Sequence, residues 1–339
     1  MFSIIILTKN SLGVVNRLVD SILSQDFDYP FEIIFMDNNS RDGTLQYLKE
    51  VKRKNSDIEI KILHVPENEF SHSATRMKAA RLAKGEFLIF FTDDILPIDK
   101  HFLENLTKPV RIGKASASYG VFQIGGMTRF DPIAAYLHNG WFEGYDDFTG
   151  PINPYCWSKL TPHMRRKLSN FDNCASCIRK DVLLALEFPP VSYGEDMTFA
   201  KKLILNNHKV ALAKSAKFYH WHYVKFTYML KRMCVDQILS IREFDLYYLS
   251  GARGLLKVLL TRLIYRIIIG IFLIDSPIKE KLYWIIYNIK ITTADFLGKY
   301  IGTLEPKDLR GPLVVFKKKL LRLQKDIVNE IDRRSIIRY

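Results

Sequence analysis

Four short apolar runs, FSIIILT, FEIIFMD, IEIKILHV and EFLIFFTD, alternate with stretches of helical periodicity within the first 94 residues. This alternation restricts the fold more than any other feature. Strands separated by helix-length segments imply βαβ units and a mainly parallel sheet. LGVVNRLVDSILSQ places Leu18, Ile22 and Leu23 near one helical face. SRDGTLQYLKEVKRK is predicted as a second helix, with Ser40 or Asp42 as its cap, and SATRMKAARLAKG as a third that Gly85 closes. Sheets of this kind bind ligands beyond the carboxyl ends of their strands. Thr8-Lys9-Asn10, Asp37-Asn38-Asn39-Ser40 and Asp93-Asp94 all stand at strand ends. Three polar clusters are therefore expected on one rim.

The Asp93-Asp94 pair poses a problem of its own. Adjacent carboxylates at the end of a buried strand repel, and burying them costs free energy unless something neutralises them. A divalent cation answers that need. Further along, residues 100–170 are irregular and read as loops around a substrate. FDNCASCIRK is a candidate strand, GEDMTFAKKLILNNHKV a helix opening on Glu195-Asp196, and VALAKSAKFYHWHY a strand running into His220 and His222. On an extended segment those two imidazoles share a face, with Trp221 opposite. Beyond Lys225 the chain reads as helical almost to its end.

The motifs SIIILTKN, EIIFMDNNSRDGT, FSHSATRMKAARLAKGEFLIFFTDD, GEDMTFAKKL and YHWHY follow one another in the order seen in family 2 glycosyltransferases with the GT-A fold, which this sequence resembles over about residues 2–235. FSHSATR, followed by the two aspartates and by His-x-His-Tyr near residue 220, is especially similar to bacterial rhamnosyltransferases of polysaccharide assembly. Two positions depart from the pattern. Met77 stands where the related tract usually has Asn, and Thr92-Asp93-Asp94 replaces a spaced Asp-x-Asp. The second departure leaves open which aspartate holds a metal.

The fold class expected from the resemblance is α/β: a GT-A catalytic domain, Rossmann-like with a mainly parallel sheet, over residues 1–235, and a helical extension over 236–339. The function expected is inverting transfer of a sugar from a nucleotide-sugar donor to a saccharide or lipid-linked acceptor in cell-surface polysaccharide synthesis. dTDP-rhamnose is the preferred donor and a UDP-sugar the alternative. Mg²⁺ or Mn²⁺ would neutralise the leaving diphosphate. Asp94 is expected as a metal ligand with His220 or His222, and Asp93 is expected to turn toward the ribose or sugar. Asp37 sits where the family's strand-end aspartate binds the nucleobase, with Thr8, Asn10 and Asn39 around it. Arg76 can pair bidentately with diphosphate oxygens. Asp196 corresponds to the family's general base, and Glu195 would orient it or the acceptor. Two rival functions are a nucleotidyltransferase and a catalytically silent binding protein. The first should show a Gly-rich basic phosphate loop, which TKNSLGVVNR lacks; Asp94, Asp196 and Arg76 argue against the second.

Composition bears on the rest. With 339 residues and 48% hydrophobic content the chain can bury a large core in about two structural units. Its four cysteines are too few for a disulfide scaffold, and Cys174-x-x-Cys177 has no second pair at zinc spacing. A reducing compartment is expected, and MFSIIILTKN lacks the basic leader of a signal peptide. From Gly251 onward 18 Lys and Arg face 8 Asp and Glu, a balance of +10 within a whole-chain +14. That asymmetry points to an anionic membrane surface rather than nucleic acid. In GLLKVLLTRLIYRIIIGIFLI three cations argue against a span, but Lys257, Arg262 and Arg266 could snorkel at an interface. Trp284, Tyr283 and Tyr287 suit the headgroup level, and FKKKLLRLQK adds a basic cluster. The expected location is cytoplasmic, peripheral at the inner face of the cell membrane. The competing reading packs the extension on the catalytic domain or on a second copy of the chain.

Overall fold

The computed structural model describes residues 1–126, 129–249, 251–306 and 314–334. Its strands are β1 (Phe2–Thr8), β2 (Phe31–Asp37), β3 (Glu59–His64), β4 (Phe87–Thr92), β5 (Leu96–Pro97), β6 (Ala117–Gln123), β7 (Phe148–Thr149), β8 (Ala175–Arg179) and β9 (Val210–Tyr219). Its helices are α1 (Leu12–Leu23), α2 (Thr44–Lys54), α3 (His72–Leu82), α4 (Phe102–Arg111), α5 (Pro132–His138), α6 (Pro154–Lys159), α7 (Pro162–Leu168), α8 (Lys180–Leu186) and α9 (Glu195–Leu205). The C-terminal helices are α10 (Phe226–Phe244), α11 (Gly251–Ile268), α12 (Ile278–Gly302) and α13 (Val314–Arg334). A π-helical turn, Ile269–Leu273, continues α11.

All seven residues of β1 are buried. A strand can be apolar without interruption only when helices cover both faces of its sheet. Successive side chains alternate between two cores. Ile5, Leu7, Ile34, Met36 and Phe90 face α3, α8 and α9. Ile4, Ile6, Ile33, Phe35, Ile89 and Phe91 face α1, α2 and α4. The sheet order is β3-β2-β1-β4-β8-β6-β9-β5, with β7 on β9. The four N-terminal strands are mutually parallel, and β8, inserted antiparallel beside β4, makes the far half mixed. The chain moves outward from β1 to β3 and then returns to β4 on the other side of β1. The ends of β1, β2 and β4 therefore border one crevice, the switch point at which such sheets bind ligands.

Several local expectations need correction. Asp42 does not cap α2. Gly43 takes the N-cap in the left-handed region (φ 96°), and the Asp42 carboxylate instead accepts the Leu12 and Thr44 N–H groups. Gly85 does not close α3, which ends at Leu82 with Ala83 as its C-cap. It is needed for close approach, because a Cβ there would lie 2.6 Å from the Phe2 carbonyl carbon and Ser3 nitrogen. Residues 100–170 hold α4 and β6, both core elements, as well as loops. The boundary expected at 235/236 falls inside α10, which runs unbroken and packs along α12. Trp284 is 2% exposed and Tyr287 is also buried, in a cluster with Ile133, Ile269 and Ile274. They are core residues and not headgroup anchors. Ser250 and residues 307–313 and 335–339 of the expected extension lie outside the described residues.

Candidate active site

A cavity of about 1370 Å³ opens at the carboxyl rim of β1 and β4. The expected residues Thr8, Asn10, Asn39, Arg76, Asp93, Asp94, Glu195, Asp196, His220 and His222 all line it. Asp37 does not.

The two adjacent aspartates avoid one another by facing different surroundings. Asp93 turns back toward β1, where its carboxylate accepts the Lys9 N–H at 3.2 Å. Burial, with the neighbouring charge of Asp94, pushes it up to about 7. Asp94 faces the histidines. Its Oδ2 lies 2.9 Å from His222 Nε2 and its Oδ1 lies 3.4 Å from His220 Nε2. The two imidazole nitrogens are 3.1 Å apart. This meeting is built by a two-residue strand: Leu96 of β5 pairs with Tyr219 at the end of β9, which brings the turn after β4 against the His segment. Burial alone would raise the Asp94 carboxyl, but the bonds and charges of His220 and His222 hold it well below the usual carboxylate range.

These three side chains are the one group of His, Cys, Asp and Glu among the described residues that could hold a metal ion, each offering one atom within 4.8 Å of the others. One carboxylate oxygen and two imidazole nitrogens fit a divalent transition ion. Two imidazoles suit Mn²⁺ better than Mg²⁺, which prefers an all-oxygen shell. Both histidines converge on the same carboxylate, so the geometry does not single out either.

At the end of β2 the Asp37 carboxylate is spent on the scaffold. It accepts the Thr8 hydroxyl at 3.2 Å and the Ser40 N–H at 3.1 Å, and it is buried behind the cavity wall. The loop it braces is tied to β1 by Asn10 N–H to Ser40 Oγ and by Arg41 N–H to Asn10 Oδ1. Asn10 and Asn39 both adopt the left-handed conformation that asparagine tolerates. Asn10, Asn39 and Arg41 are then the groups of this loop presented to the cavity.

Arg76 is also placed differently from expectation. It is 3% exposed and forms an ion pair with Glu195, itself 7% exposed. Its charge is engaged by a carboxylate instead of standing free for a diphosphate. Ser71 caps α3 by accepting the Ala74 N–H, which fixes the helix that carries Arg76. Gly194 precedes α9 at φ 70°, where a Cβ would overlap Leu239 of α10, so the helix begins tight against α10. Glu195 and Asp196 form its first turn. Burial, then the charges of Glu195 and Asp172, raise Asp196 to about 7. A carboxylate poised there can accept a proton near neutral pH.

Sequence reasoning missed several residues of this cavity. Asp172, at the turn into β8, accepts the Cys174 N–H, and its charge acts on both Asp196 and His220. His72 is half-buried with its Nδ1 buried and unpartnered, and desolvation followed by the Arg76 charge pushes it down to about 4, so it is neutral. One side of the cavity is walled by the C-terminal helices. Arg266 of α11 donates to Asn288 Oδ1 at 2.6 Å, and the Asn288 amide donates to both carboxylate oxygens of Asp131 at 3.0 and 2.9 Å. Arg266 therefore does not snorkel. The Val224 N–H donates to Tyr287 Oη at 3.0 Å, and Trp221 packs edge-on against Trp284, so α12 steadies the segment that carries the histidines. A basic residue in an otherwise apolar helix, Arg266, was the available signal for this wall. Cys174 and Cys177 are free thiols raised by burial, and Cys177 packs in the core.

The family model described as "Glycosyl transferase family 2" matches residues 3–172. Among curated proteins, the poly(ribitol-phosphate) beta-N-acetylglucosaminyltransferase TarS of Staphylococcus aureus is 32% identical over 94 residues, 27% of this chain and 16% of TarS. The chain thus aligns with about a sixth of that relative. The O-antigen chain rhamnosyltransferase RfbN of Salmonella typhimurium is 28% identical over 224 residues, 65% of this chain and 66% of RfbN. Among solved structures, the mannosyltransferase PcManGT from Pyrobaculum calidifontis, in complex with GDP-Man and Mn²⁺, superimposes with a TM-score of 0.51 at 15% identity, covering 98% of this chain and 84% of that one. This last likeness is one of fold.

Proposed function

Because the chain belongs to glycosyl transferase family 2, we propose that it moves a sugar, with inversion, from a nucleotide-sugar donor to a saccharide or lipid-linked acceptor of a cell-surface polysaccharide. The observation that carries this reading is the sharing of one cavity by two unlike carboxylate centres: Asp94 with its two histidines, and Asp196 raised to about 7.

Each centre has a task in a single displacement. The acceptor hydroxyl lies toward α9, and Asp196 takes its proton as the oxygen attacks the anomeric carbon. The new C–O bond forms as the bond from that carbon to the diphosphate oxygen breaks, and the diphosphate leaves with the bonding pair. Asp94, His220 and His222 would hold a divalent cation, which supplies neutralisation of the leaving diphosphate when bound. Arg76 fixes Glu195 and so sets the first turn of α9 from which Asp196 projects. Asn10, Asn39 and Arg41 face the nucleotide, while Thr8 and Asp37 hold their loop in shape.

Similarity to RfbN over 65% of the chain favours rhamnose, carried as dTDP-rhamnose; a UDP-sugar is the second choice. Titration of the protein with dTDP and UDP, with and without Mn²⁺, tests the reading directly. Mn²⁺-dependent binding of one diphosphate is expected, followed by turnover of the matching sugar donor. Indifference to both nucleotides in the presence of Mn²⁺ would sink it.

A further inference from the structure

The C-terminal helices have two unlike sides. One side is the cavity wall made by Arg266, Asn288 and Tyr287. The other side is apolar and uncovered. On α11, Leu256, Leu260, Ile264 and Ile268 recur every fourth residue and are all exposed, and the stripe continues into Ile271 and Phe272. On α12, Ile278, Leu282, Ile286 and Ile289 form a second exposed stripe beside it. Ile264 is 57% exposed and Phe272 75%. A soluble surface rarely leaves so many large apolar side chains contiguous, and such patches mark interaction sites.

Charge identifies the occupant. From Gly251 to Ile274 the chain contains four arginines and lysines and no Asp or Glu. Arg266 turns to the cavity, while Arg253, Lys257 and Arg262 are exposed with the apolar stripe. The first carboxylates, Asp275 and Glu280, come only at the turn into α12. In a twofold dimer this patch would meet itself and bring those cations together, since an isologous interface pairs a surface with its own copy. An anionic surface matches them, and the apolar side chains can enter the acyl boundary beneath the headgroups. Among the described residues no helix is long and apolar enough to cross a membrane. Contact is therefore from one side.

We propose that the outward face of α11 and α12 docks on an anionic lipid bilayer, so that the cavity on the reverse of the same helices stands at the membrane surface, where a lipid-linked acceptor is presented. The acceptor clause rests on the sugar-transfer reading; the docking itself does not. The docking residues are Leu260, Ile264, Ile268 and Phe272 with Lys257 and Arg262, and not the buried aromatic residues of α12.

The test uses the full chain and vesicles of equal parts phosphatidylglycerol and phosphatidylcholine, with phosphatidylcholine alone as control. The protein is expected to sediment with the anionic vesicles and to weaken, without full release, in high salt, which screens charge but not apolar insertion. Ile264→Asp with Phe272→Asp should lower vesicle binding about tenfold or more, since each places a charge where an apolar group was inserted. Both residues are exposed and outside the cavity, so circular dichroism and Mn²⁺-dependent nucleotide binding should be unchanged in the double variant. Two results would overturn the proposal: wild-type protein that ignores anionic vesicles at low salt, or a double variant that binds them as wild type does. A wild-type dimer that the double variant dissociates, without vesicle binding, would assign the face to a second copy. Nucleotide binding is read separately, so failure of docking leaves the transfer reading to stand or fall on its own measurement.

Discussion

Asp196 can act as a base only when ionised, and its folded environment raises it to about 7 by burial and by the charges of Glu195 and Asp172. kcat/KM should therefore climb with pH up to about 7 and level off above it. Asp172→Asn removes one of the raising charges and should move that midpoint to lower pH. Asp196→Asn should keep donor binding and lose roughly 10²-fold or more in turnover; near-normal turnover with intact acceptor would refute the base assignment. Asp94→Ala removes the carboxylate on which both histidines converge. It should abolish Mn²⁺ binding, followed by the ion's own paramagnetic resonance, and weaken nucleotide diphosphate binding in a protein that stays folded. Arg76 and Glu195 are a different kind of pair. Removing one partner strands a buried charge, so Arg76→Met should cost about 3–5 kcal/mol in urea unfolding, whereas Arg76→Met with Glu195→Gln should recover much of that loss.

The elements explain why some of this could be read in advance and some could not. β1, β2 and β4 were legible because burial on both faces leaves an uninterrupted apolar run. α4 was hidden by Pro109 within its last turn, and β6 (ASYGVFQ) by its small residues. The rim clusters followed from strand ends alone, as did the cavity position of Asp94; that of Asp196, in the first turn of α9, followed from the family resemblance. The turning away of Asp37 and the pairing of Arg76 did not, because they depend on partners 29 and 119 residues distant. An aromatic residue such as Trp284 has the same sequence signature whether it faces lipid or core, and only packing separates the two. The bond from Val224 N–H to Tyr287 Oη makes that packing testable. Tyr287→Phe loses the bond accepted from the Val224 N–H, about 1 kcal/mol, and a longer one of 3.4 Å donated to the Val224 carbonyl. If α12 steadies the His segment, Mn²⁺ affinity should fall about fivefold. Unchanged affinity in a folded variant would show the segment to be set without it.

At the scale of the molecule, the basic C-terminal region and the catalytic sheet are one structure. Deleting residues from Gly251 onward would free the protein from a bilayer, but it would also take away Arg266, Tyr287 and Asn288 from the cavity wall and Trp284 from its packing against Trp221. Loss of Mn²⁺-dependent nucleotide binding is therefore expected together with loss of vesicle binding, and a truncated chain that retains full nucleotide and metal affinity would contradict the shared wall. Of the net +14, +10 lies from Gly251 onward, so salt should affect attachment more than chemistry on a soluble acceptor. The Arg266–Asn288–Asp131 chain, which joins α11, α12 and the start of α5, has a consequence for how such enzymes diversify. A recombination event that exchanged only the sheet, or only the terminal helices, between two homologues would leave half of this polar chain facing a stranger. Viable hybrids should instead inherit the sheet and the helices from the same parent, with crossovers confined to surface loops. The heritable unit would then be the whole assembly, not a transferase with an interchangeable anchor.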